Sequence, residues 1–85
     1  MKTNERHIDV PTRILIDKNL SLKARTLYCI IKLLLEEPNV HFTRDLAYKF
    51  SGVGNTSFKS TWNELKEKGY LLVIREGNKF RYELK

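Results

Sequence analysis

Residues 42–72 read FTRDLAYKFSGVGNTSFKSTWNELKEKGYLL, and the spacing inside this stretch decides the fold. Phe58, Trp62 and Leu65 fall at i, i+4 and i+7, which is one apolar stripe of helical period. Upstream, Thr43 can N-cap an earlier helix whose inward positions are Leu46, Ala47 and Phe50. The link between the two, Ser51-Gly52-Val53-Gly54, is too short and too rich in glycine to be anything but a sharp turn. Gly69 stands where a helix C-cap wants a residue of positive φ. The stretch therefore predicts helix, tight turn, second helix, and the start of a strand.

Working upstream, Ser21 is placed to cap the longest helix, SLKARTLYCIIKLLLEE, which Pro38-Asn39 stops. Its expected core face is Leu27, Tyr28, Ile31, Leu34 and Leu35, while Ile30 and Leu33 lie off that face. A helix apolar on more than one side must be covered on more than one side. Two coverings are open: the segment IDVPTRILI (residues 8–16) folding back, or a second copy of the chain meeting Ile30 and Leu33 or the N-terminal segment. In that segment Pro11 can take the first helical position of a single turn, with Ile14, Leu15 and Ile16 as an apolar anchor. Residues 17–20 connect, and residues 1–7 form an arm expected to be flexible.

Working downstream, residues 40–42 form a short β-prone run. Residues 70–74 and 80–84 are two more, separated by Arg75-Glu76-Gly77-Asn78-Lys79 with its hairpin-favouring Gly-Asn pair. In the last run Phe80, Tyr82 and Leu84 alternate with charged residues, the pattern of a half-buried strand. The whole reads as one mainly α domain with a little β over residues 1–85. It has three main helices, a helix-turn-helix at 43–69 and a C-terminal β-hairpin at 70–85. A helix-turn-helix followed by a hairpin wing is the winged-helix architecture.

Composition agrees with such a small domain. Hydrophobic residues make up 41% and aromatics 11% of the 85 residues, enough for a core but not for a deep substrate cleft. Sixteen basic against ten acidic side chains leave a net charge of +6, which favours an anionic partner, with plain solubility as the alternative use of that charge. The single cysteine, Cys29, sits in an apolar run and is expected to face the core, so no disulfide framework exists and a reducing, cytoplasmic setting is expected. No stretch approaches the length of a membrane span, so no membrane partner is expected.

Three segments carry a family resemblance: LSLKARTLYCIIKLLLEE (20–37), FTRDLAYKFSGVGNTSFKSTWNELKEKGYL (42–71) and GNKFRYELK (77–85). Together they resemble the N-terminal winged-helix domain of phage and plasmid replication initiators and DnaD-like replisome organisers. The resemblance covers roughly residues 10–84. Its most telling parts are Leu20-Ser21-Leu22-Lys23-Ala24 and Glu64-Leu65-Lys66-Glu67-Lys68-Gly69-Tyr70-Leu71, the latter shared with many bacterial winged-helix transcription regulators. It implies double-stranded DNA binding, with origin binding in replication as the task and transcriptional control, or a protein-interaction and dimerisation module, as the alternatives. Such families often open the recognition helix with arginine or a Ser-Arg pair. This chain has Gly54-Asn55-Thr56, which lowers the phosphate and guanine contacts expected there. A last strand ending at Lys85 without a tail would suit a domain trimmed from a longer initiator.

With Phe58, Trp62 and Leu65 inward, the second helix offers Asn55, Thr56, Ser57, Lys59, Ser60 and Asn63 to DNA. Asn can bond an adenine edge twice, Thr can meet a thymine methyl, Lys can reach guanine acceptors, and Ser suits phosphates. Glu64 stands four residues before Lys68 and is read as its ion-pair partner. On the preceding helix Arg44 and Lys49 are expected to meet phosphates, and Asp45 to favour the helix dipole. On the hairpin the candidates are Asn78, Lys79 and Arg81, with Arg75 at its base; the competing use is protection of an edge strand. Neither a metal nor a cofactor is expected. His7, His41 and Cys29 lack zinc spacing, Gly52-Val53-Gly54 lacks the spacing of a phosphate loop, and no constellation of residues suits catalysis.

Overall fold

The computed structural model describes residues 7–85. The expected flexible arm lies outside the described residues except for His7. Four helices precede a two-stranded sheet: α1 (Thr12–Ile16), α2 (Leu22–Glu36), α3 (Arg44–Ser51), α4 (Asn55–Glu67), β1 (Leu71–Glu76) and β2 (Lys79–Leu84). The described chain is thus mostly helical, with a small antiparallel hairpin at its C-terminal end.

The helix starts obey the capping chemistry of their first residues. Ser21 Oγ accepts from the Ala24 amide at 3.1 Å and Thr43 Oγ1 from the Leu46 amide at 3.0 Å. Pro11 caps α1 from outside the helix, one residue earlier than expected, and accepts the Ile14 amide on its carbonyl at 3.0 Å. The last two helices end at glycine. Gly52 at φ +70° closes α3, and Gly69 at φ +82° closes α4. At the second of these, Tyr70 N donates to the Leu65 carbonyl and Gly69 N to the Lys66 carbonyl, the paired bonds of a Schellman cap.

The core collects Ala24, Leu27, Tyr28, Ile31 and Leu34 of α2, Ala47 of α3, Phe58, Trp62 and Leu65 of α4, and Leu71 of β1. Ile14, Leu20 and Phe42 join from α1 and the connecting segments. Rings knit the side nearest the hairpin. Tyr82 meets Phe42 edge-on at 5.1 Å and Trp62 at 5.8 Å, while Tyr48 meets Phe58 at 5.3 Å.

Several inward expectations are corrected. Phe50 is 59% exposed, and Tyr48 supplies the α3 ring that packs on α4. Of the anchor Ile14-Leu15-Ile16 only Ile14 is buried, because successive residues of a helix turn about 100° apart and cannot share one face. Leu35, in the last turn of α2, lies off the stripe and is exposed. Residues 40–42 form no strand: Val40 N bonds back to the Glu37 carbonyl in a turn, and among the described residues β1 pairs only with β2. Cys29 is half-exposed on the flank of α2 rather than core-facing, and burial pushes its thiol pKa up.

The hairpin register runs from Leu71 opposite Leu84 to Glu76 opposite Lys79. β1 is longer than expected, so the loop shrinks to Gly77-Asn78, with Gly77 at φ +63° in the position where a two-residue loop favours glycine. One face carries Leu71, Val73, Tyr82 and Leu84 onto the core. Phe80 continues that face past the core and is 56% exposed rather than half-buried.

Polar tethers lock the elements together. Glu64 does not serve Lys68 as expected. Its carboxylate accepts Ser21 N and Ser21 Oγ, each at 2.7 Å, so α4 is tied to the start of α2. Asp17 Oδ2 accepts the Tyr70 hydroxyl at 2.7 Å and the Asp17 carbonyl accepts Arg25 at 2.6 Å. That hydroxyl and the Asn19 amide hold the Asp17 carboxyl below its ordinary value, and the same bond pushes the Tyr70 phenol up. The Lys85 carbonyl accepts the Tyr28 hydroxyl at 3.2 Å.

Candidate nucleic-acid interface

Helix α4 has two faces with separate duties. Phe58, Thr61, Trp62 and Leu65 are buried, and Thr61 satisfies its hydroxyl on the Ser57 carbonyl at 2.8 Å. Asn55, Thr56, Lys59, Ser60 and Asn63 are exposed and share the outer face with Lys66 and Glu67. Ser57 stands apart from the other candidates. It is half-buried and its hydroxyl accepts Lys23 Nζ of α2 at 3.1 Å, so it serves the α2–α4 contact.

The helix before the turn contributes two cations of different kinds. The Arg44 guanidinium lies over Phe58 at 5.1 Å and Trp62 at 5.5 Å, which fixes it beside α4. Lys49 pairs with Asp45 at 3.3 Å, with both side chains about 70% exposed. Such an exposed pair is worth only about 0–1 kcal/mol, so a phosphate can displace it.

On the hairpin, side-chain alternation divides the candidates. Arg81 points away from the Phe80–Tyr82–Leu84 face and sits between Glu83 at 2.5 Å and Glu76 at 3.4 Å. Two carboxylates offset its charge, which makes it the least available cation of the set. Asn78 and Lys79 are exposed at the loop, and Arg75, directly opposite Phe80 in register, bonds the Gly77 carbonyl through Nε at 3.1 Å.

Between α4 and the hairpin runs a groove of about 260 Å³. Trp62, Val73 and Tyr82 form its apolar lining, Asn63 and Lys66 come from α4, Arg44 from α3 and Phe80 from β2. No carboxylate is among these residues. Sequence reasoning singles out neither Lys66 nor Phe80, since alternation places Phe80 on the half-buried face of the last strand. The signal that was available is the position of Lys66 four residues after Trp62, which puts it on the rim next to whatever covers the tryptophan.

A second groove, of about 220 Å³, lies on the far side. Leu22, Thr26 and Ile30 of α2 line it at i, i+4 and i+8, with Val53 from the turn and Phe58 beneath. The N-terminal segment does fold back, since Ile14 enters the core and Val10 packs on it. It nevertheless leaves this flank open, with Leu22 75% exposed and Leu33 half-exposed.

Among the described residues no three His, Cys, Asp or Glu side chains converge as a metal site, and no helix is long and apolar enough to cross a membrane. No family model, no curated protein and no solved structure matches the chain.

Proposed function

We propose that this chain is a winged helix-turn-helix module that binds double-stranded DNA in the cytoplasm, acting by binding rather than by catalysis. α4 enters a major groove with Asn55, Thr56, Lys59, Ser60 and Asn63 toward the bases, while Lys49, Asn78 and Lys79 meet flanking phosphates. One observation carries the reading. A polar, uncovered face of α4 follows a tight glycine turn, and two cations, Arg44 of α3 and Lys66 of α4, line the groove beside it. The resemblance to replication initiators makes origin binding the leading task, with transcriptional control next.

The test is anisotropy of a labelled duplex titrated with protein across a range of salt. Each phosphate neutralised contributes a slope of about −0.9 in log K against log[salt]. Lys59→Ala is expected to make the slope shallower by roughly one such contact. Absence of binding at low salt, where non-specific contacts are strongest, refutes the reading.

The open groove along Leu22, Thr26 and Ile30 favours a second use, in which a partner or another copy covers α2 through Ile30 and Leu33. Association of that kind is apolar and does not weaken with salt as phosphate binding does. Sedimentation at low and high salt separates the two.

A further inference from the structure

We propose that the groove between α4 and the hairpin receives an unpaired base of a DNA strand that has left the duplex, stacked on Phe80 with its phosphate beside Lys66. The inference rests on the DNA-binding reading and adds a preferred form of DNA to it. Phe80 is 56% exposed, yet it faces into the molecule, on the hairpin face whose other members, Tyr82 and Leu84, pack on the core. Its ring forms one wall of the groove, and Asn63 and Lys66 form the wall across from it on α4. An aromatic ring beside cations is the chemistry by which proteins hold single strands, because every base has a π-face and every nucleotide a charge. Asn63 adds an amide that can both donate to and accept from a base edge. Arg44, fixed by its stacking on Phe58 and Trp62, adds a second positive charge.

The placement of the ring argues for an unpaired base over a paired one. In a duplex both faces of each base are covered by stacked neighbours. Phe80 stands one register pair behind the Glu76–Lys79 pair that closes the loop, on the hairpin face that lines the groove with α4. A ring on a groove wall rather than at the loop tip suits a base that a splayed strand lays against it. Charge complementarity selects the occupant: the lining holds two cations and no carboxylate.

The experiment compares three labelled DNAs at one salt concentration: a blunt duplex, the same duplex with an internal unpaired bubble, and the same duplex carrying 2-aminopurine in the bubble. Wild type is run beside Phe80→Ala and Phe80→Tyr. Stacking of one base predicts that wild type binds the bubble about tenfold more tightly than the blunt duplex and quenches the 2-aminopurine. Phe80→Ala is expected to abolish that preference and the quenching while leaving blunt-duplex affinity within about twofold, and Phe80→Tyr to keep both. Equal affinity for bubble and duplex in the wild type overturns this inference and leaves duplex binding standing. So does a Phe80→Ala loss of the same size on both DNAs. Failure to bind either DNA overturns the parent reading as well. Thermal melts of the variants accompany the titrations, and if Phe80→Ala fails to fold, Phe80→Leu takes its place: it keeps an apolar side chain without a ring and is expected to lose the preference, while a retained preference overturns the inference.

Discussion

Removing the Glu64 carboxylate is expected to destabilise the fold through a helix that Glu64 does not belong to. In Glu64→Ala, Ser21 N and Ser21 Oγ each lose a charge-assisted acceptor at 2.7 Å. Hydrogen bonds to charged groups are worth about 1.5–3 kcal/mol when desolvated. These two are solvent-exposed and regain water, so about 0.5–1 kcal/mol each, or roughly 1–2 kcal/mol in total, is the expected loss. For a domain of this size that lowers the melting temperature by about 4–8 °C per kcal/mol. Ser21→Ala loses the same Oγ bond and also the α2 cap at Ala24, a change that costs about 1 kcal/mol for the cap alone. The two substitutions share one bond, so the double variant is expected to fall short of additivity by about 0.5–1 kcal/mol. Urea unfolding followed by Trp62 fluorescence measures all three. If Glu64→Ala costs less than about 0.3 kcal/mol, or if the double variant is additive within that margin, the tether does not operate in solution.

Other expectations follow from single contacts. Gly52→Ala puts a Cβ in open space but at φ +70°, so the cost is backbone strain alone, about 1–2 kcal/mol by urea unfolding. A markedly greater loss would mean that the turn is packed more tightly than it looks. Asp17 titrates below its ordinary value of 3.8 when folded, so the stability it contributes is present above that value and is lost as pH falls through the lowered one. Tyr70 is raised above 10.0, so its contribution is full below that pH and is lost as pH rises through the raised value. Tyr70→Phe is expected to flatten both flanks of the stability profile, and unchanged acid and alkaline limbs would refute the coupling. In titrations of bubble DNA Lys66→Ala is expected to reduce the salt slope by about 0.7, and Arg81→Ala by much less because Glu76 and Glu83 hold it. The reverse ranking would place the DNA on the other face of the hairpin.

Local chemistry was legible wherever a residue's role depends on neighbours a few positions away. Ser21, Thr43 and Gly69 cap and stop helices as their types require, and the Phe58–Trp62–Leu65 stripe is buried where its period places it. What escaped was decided by partners remote in the chain. The spacing of four pairs Glu64 with Lys68, whereas Ser21, 43 residues away, offers two donors in place of one. Tyr48 rather than Phe50 meets Phe58 because the crossing of α3 over α4, not the period of α3, chooses the contact. The hairpin site divides the same way. Alternation put Arg81 on the outer face, and it also put Glu83 there, two residues on, so the competing carboxylate was visible. The groove that gives Lys66 and Phe80 a common purpose exists only once the hairpin folds over α4.

The hairpin base described above has a mechanical consequence. Lys85 is held at both ends of its backbone, its amide on the Tyr70 carbonyl and its carbonyl on the Tyr28 hydroxyl, while Tyr82 is gripped by Phe42 and Trp62. From Phe80 outward the side chains are exposed. The hairpin is therefore a cantilever, clamped at its root with a free end, and a small rotation at the clamp becomes a larger sweep at Gly77-Asn78. Loosening the root, as in Tyr28→Phe, widens the arc the loop can search without altering any residue the loop presents.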